Sequence, residues 1–128
     1  MESRRVRSAA SLSLTLLAAG AAVISSLSAR AQTAPPAFNA CRACHTVQKD
    51  AKSGVGPNLH GVAGRPAASL SGFAYSAALK GAKLRWDDET LSDYLAAPMK
   101  KVPGTRMPIA TPDPAKRAAI IAYLKSLK

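Results

Sequence analysis

The sequence predicts an all-α domain with few helices and long ordered loops. Three observations predict it. Segments near 88–97 and 114–127 carry apolar stripes at helical spacing, each beginning at an aspartate that can cap it and each bounded by a proline. No stretch alternates apolar and polar residues for long enough to read as a strand, and no repeat is present. Residues 46–65 are rich in Gly, Pro, Asn and Ser and read as loop. Loops of that length inside a small domain need a ligand to organise them.

The N-terminus reads as a secretory signal. Arg4, Arg5 and Arg7 form a basic start, Leu12 to Leu27 is apolar and rich in small residues, and Ala29-Arg30-Ala31 is an A-x-A cleavage site. The apolar run is shorter than the roughly 20 residues of a membrane span and is interrupted by serines, so the signal is expected to be removed and the mature chain to start at Gln32. Residues 32–128 then form one domain with 14 basic and 6 acidic side chains, a formal charge of +8. No later apolar run could span a bilayer. Nucleic acid is excluded as a partner because the lysines are dispersed and no platform of aromatic side chains accompanies them.

Along the mature chain, Pro35-Pro36 precedes a short helix expected from about Ala37 through Cys44. Tyr75 to Lys80 has helical character and is expected to stop at Gly81. The helix from about Asp88 to Ala97 is capped by Asp87 or Asp88, gathers Leu91, Tyr94 and Leu95 on one face, and ends at Pro98. Val102 to Pro108 is rigid and non-helical, with Met107 held between prolines. Asp113-Pro114 opens the last helix, whose Ile120, Tyr123, Leu124 and Leu127 recur at i, i+3, i+4 and i+7.

The most specific signal is Cys41-Arg42-Ala43-Cys44-His45. Cys-x-x-Cys-His is the pattern of covalent haem attachment. Two thiols three positions apart sit about one helical turn apart and can bond two vinyl groups on one side of a porphyrin. The adjacent imidazole can then take an axial position on the iron. Other readings compete. Zinc would need two further ligands, and His45 and His60 are the only histidines. A thioredoxin-like dithiol should follow a strand in a βαβ unit, which is not visible. A disulfide between cysteines this close would be strained and close almost no chain.

The chain resembles a class I cytochrome c, of the mitochondrial type and its bacterial relatives, over nearly all of 38–128. The resemblance rests on six ordered blocks: Cys41 to Val47, Gly56 to Gly61, Gly72 to Ser76, Trp86 with Thr90 to Leu95, Pro103 to Met107, and Ile121 to Lys125. It implies a small fold of few helices and long loops wrapped around one haem c, covalent through Cys41 and Cys44. It implies His45 as the proximal ligand, oriented by the Pro57 carbonyl, and Met107 as the distal one. Tyr94 and Thr105 would lie near the Met107 sulfur and the propionates. Arg65, Tyr75 and Trp86 would pair with a buried propionate. The chain departs from the pattern in its shortened first helix, and at Leu79, Met99 and Ile109.

The function implied is that of an exported, periplasmic, soluble one-electron carrier. It would be a monomer and not an enzyme, meeting acidic redox proteins through a basic surface that includes Lys49, Lys52, Lys100, Lys101 and Arg106. A haem subunit docked permanently to a dehydrogenase or oxidase, or a haem enzyme with an open iron position, stand as the alternatives.

Overall fold

A computed structural model describes residues 32–128, so the export signal read in 1–31 lies outside the described residues. Among the described residues there are four α-helices: α1 (Ala77–Gly81), α2 (Asp88–Ala96), α3 (Pro98–Lys101) and α4 (Pro114–Ser126). None is long and apolar enough to cross a membrane.

The two longer helices start where the sequence places caps. Asp113 Oδ1 accepts from the backbone N–H groups of Ala115 and Lys116 at 2.8 and 3.1 Å, and Pro114 fills a first position whose N–H would have had no partner. Asp87 does the same for Thr90 N–H at 2.8 Å. These backbone donors hold both carboxyls below the usual carboxylate range. Because the folded-state pKa is depressed, the stabilisation is complete above the unfolded-state value and is lost as pH falls through the folded-state value. Asp113→Ala is therefore expected to lower the thermal midpoint at neutral pH, and Asp113→Asn to retain most of it. The gap between wild type and Asp113→Ala should close in acid, as read by circular dichroism melts across pH.

α2 buries Leu91, Tyr94 and Leu95, and α4 buries Ile120, Ile121, Tyr123 and Leu124, so the two helices pack on each other through these faces. Phe38, fully buried, closes the end of this pair with its ring edge-on to Tyr123 at 4.8 Å between centroids. Through this ring the shortened N-terminal segment keeps a contact with the last helix.

Three local expectations are corrected. The helix expected over 37–44 is instead two 3-10 turns, Pro36–Phe38 and Cys41–Ala43. Each is too short to repay α-helix nucleation. Cys41 begins the second turn and Cys44 follows its end, and both line the cavity described below. Gly81 lies inside α1 and has no left-handed φ; the residue that turns the chain is Lys83, at φ 54°. Pro98 ends α2 but also opens α3, because a proline suits the first helical position as well as it blocks an interior one.

Residues 46–65 are loop, as expected, and their backbone is organised by Asn58. Its buried side chain donates to the carbonyls of Gln48 and Ala51 at 2.8 and 2.7 Å and accepts from His60 N–H at 2.8 Å. Further on, Gly64 N–H donates to Trp86 O and Trp86 N–H to Arg65 O, a short antiparallel pairing that holds the Trp86 backbone while its indole is buried.

Candidate functional site

A cavity of about 220 Å³ is lined by Cys41, Cys44 and His45, by the 105–109 segment with Met107, and by the apolar faces of α2 and α4. Cys41 and Cys44 are not joined in a disulfide. Burial pushes the Cys41 thiol up, and the neighbouring Cys44 adds to this.

His45 is fixed from behind. Its Nδ1–H donates to the Pro57 carbonyl at 2.7 Å, which leaves the lone pair on Nε2. Burial lowers its pKa, against the opposing pull of that hydrogen bond, so the ring is neutral and in the ligand form. The loop carrying Pro57 lies flat on the motif, with Gly56 N–H donating to Cys44 O at 2.8 Å. A Cβ on Gly54 would stand 2.7 Å from the Cys44 oxygen, and one on Gly56 would stand 2.7 and 2.8 Å from the two nitrogens of His45. Both positions admit only hydrogen.

Met107 is held from the other direction. Tyr94 on α2 and Thr105 share a buried hydrogen bond of 2.6 Å, and Met107 N–H donates to Thr105 Oγ1 at 3.4 Å. Burial pushes the Tyr94 phenol up, only partly countered by Thr105, so it keeps its proton. Gly104, at φ 88°, lets the same loop turn against α1, where a Cβ would meet that of Ala78 at 3.2 Å. Met107 itself is half-buried and packs on the core.

Of the residues singled out from sequence, Cys41, Cys44, His45, Tyr75, Trp86, Tyr94, Thr105 and Met107 all line this one cavity. Arg65 does not. Its guanidinium donates to the carbonyls of His60 and Asn58 at 3.2 and 3.4 Å, while its buried Nε has no partner. Sequence reasoning missed the steric role of Gly54 and Gly56 and the bracing role of Asn58. The only signal for them was a Gly- and Asn-rich loop that follows the motif.

Two unlinked thiols, an imidazole, a thioether and apolar walls around one cavity fit a flat apolar macrocycle with a metal centre. Comparison with known proteins agrees. The family model for cytochrome c matches residues 31–128. The chain is 52% identical over 95 residues to cytochrome c2 iso-2 of Magnetospirillum fulvum, covering 73% of this chain and 98% of that one. It is 50% identical over 92 residues to cytochrome c2 of Rhodoblastus acidophilus, covering 71% and 86%. Among solved structures it is similar to cytochrome cH from Methylobacterium extorquens, with a TM-score of 0.66, 49% identity, and coverage of 70% of this chain and 91% of that one. The chain belongs to the cytochrome c family, as a monohaem c-type cytochrome that carries electrons and holds haem c covalently through Cys41 and Cys44.

Proposed function

We propose that this cytochrome is exported to the periplasm, loses residues 1–31, and shuttles single electrons between redox proteins with its iron held by His45 and Met107. The observation that carries the reading is that the two donors line one cavity and that each is braced separately, His45 by Pro57 and Met107 through Thr105 and Tyr94. Haem, when bound, supplies the one-electron ferric/ferrous couple. His45 and Met107 would hold the iron, and the bracing of each by its own neighbours would limit reorganisation on transfer and leave no place for a substrate. That is the role of a carrier and not of an enzyme. Tyr75 and Trp86, which line the cavity, are assigned to the propionates together with Arg65, since a buried carboxylate charge is costly alone. The excess of basic over acidic side chains favours an acidic redox protein as partner. Absorption spectra should give six-coordinate, low-spin iron when oxidised and when reduced, with a low-spin electron paramagnetic resonance signal when oxidised and none when reduced. A high-spin or five-coordinate form in either state would contradict the reading.

A second expectation concerns alkaline pH. Thioether binds ferric iron weakly, and a deprotonated amine is the stronger donor. Lys101 is tied to Asp93 at 2.8 Å, and this bond raises its pKa above the ordinary lysine value. With the carboxylate ionised, the ion pair holds through neutral pH and is lost on the alkaline side only as pH rises through that raised value. Lys100 is therefore the expected replacement for Met107. Lys100→Ala should remove or displace the alkaline spectral change, and Lys101→Ala should leave the exchange in place.

A further inference from the structure

Between Met107 and the start of α4 the chain is an exposed strap that does little to hold itself. Among the described residues, 108–110 make no backbone hydrogen bond, and Pro108 has no N–H to give. The first grip beyond the methionine falls on Thr111, and it comes from two sides. Its N–H donates to Leu95 O at the end of α2, at 2.7 Å. Its carbonyl accepts from Arg117 Nη1 at 3.0 Å, and the Pro112 carbonyl accepts from the same nitrogen at 2.5 Å. Arg117 Nε donates across to Ser92 Oγ on α2 at 3.3 Å. One half-buried guanidinium on α4 thus ties the strap to α2. Helix preference does not account for it, because Arg117 stands near the start of α4, where a cation opposes the helix dipole. Thr105 and Thr111 both line the cavity, so the strap is fastened on either side of Met107.

We propose that Arg117 is a positioning residue for the Met107 thioether. It rests on the reading of Met107 as the distal ligand. Thr105 and Tyr94 hold the strap before the sulfur, and Arg117 holds it after, so the sulfur leaves the cavity only when one of these fastenings opens. The guanidinium suits this task because its planar fork reaches two carbonyls and a hydroxyl at once, and hydrogen bonds to a charged group are the stronger kind. Without it the far end of the strap keeps only the bond from Thr111 to Leu95 and opens more often. An added ligand binds the iron only in that open state, so its apparent affinity rises in proportion to the open fraction.

The test is imidazole binding to the oxidised holoprotein at neutral pH, read together with hydrogen exchange at the Thr111 amide. Arg117→Ala should bind imidazole about tenfold more tightly than wild type, the effect of losing one hydrogen bond to a charged group. Its Thr111 amide should exchange faster by a similar factor. Arg117→Lys keeps a cation but not the fork and should bind about threefold more tightly; it carries the comparison if the alanine variant yields no holoprotein. Ile121→Val is the control for stability alone. Its side chain is buried on the same helix but off the cavity wall, so the change should lower the thermal midpoint while imidazole affinity and Thr111 exchange stay at wild-type values. Wild-type affinity in the Arg117 variants, or an equal rise in Ile121→Val, would overturn the proposal. If wild type shows the thioether-to-iron charge-transfer absorption in that case, Met107 stands as the ligand and only the part given to Arg117 falls. Wild type without that absorption would overturn both.

Discussion

Met107→Ala should open the iron to added ligands such as imidazole or cyanide and lower the reduction potential. The expected fall is on the order of 0.2 V, a fraction of the roughly 0.8 V that axial ligands span. A thioether stabilises ferrous iron, so its removal favours the ferric state. The segment around Met107 is fastened at three points that do not involve its sulfur: the Tyr94–Thr105 bond, the close approach of Gly104 to Ala78, and Thr111 N–H on Leu95 O at 2.7 Å. The loop should therefore keep its shape in the variant, and the change should be confined to the iron. Met99→Ala, at a half-exposed side chain off the cavity wall, should leave spectrum and potential unaltered. The opposite pattern in the two variants would assign the ligand to the wrong methionine.

Gly56→Ala should be the most damaging glycine-to-alanine change among the described residues. Its Cβ would fall against the imidazole of His45, and the ring cannot retreat without giving up Pro57. Overpacking of this kind costs about 1–3 kcal/mol, readable as a lower guanidinium midpoint of the holoprotein. If the loop yields instead, the His45–Pro57 hydrogen bond lengthens, the imidazole becomes a poorer donor, and the potential rises. Gly81→Ala is the control. Nothing lies within 4 Å of its Cβ and it sits in α1, so the change should be neutral or stabilising by up to about 1 kcal/mol.

The parts of this protein that sequence makes legible are those fixed by neighbours along the chain. Asp113 and Pro114 mark a helix start because cap and first turn lie within four residues, and the stripe behind them follows from helical geometry alone. Cys41, Cys44 and His45 are legible for the same reason. What was not legible depends on partners distant in sequence. Gly56 is forced by His45 eleven positions earlier, and Phe38 owes its burial to Tyr123 at the other end of the chain. Arg65 is drawn back to the carbonyls of Asn58 and His60, which no local pattern announces. The split of the first helix into two 3-10 turns and the appearance of α3 after Pro98 reflect segments so short that tertiary contacts outweigh intrinsic preference.

Denaturing mass spectrometry of the protein purified from its native compartment, run before and after acid–organic extraction, tests the central claim most directly. The expected result is one species with the mass of residues 32–128 plus one haem, unchanged by extraction and lost when Cys41 and Cys44 are both replaced by alanine. Haem passing into the solvent to leave the bare polypeptide mass would contradict covalent attachment, and a mass that retains residues 1–31 would contradict removal of the signal.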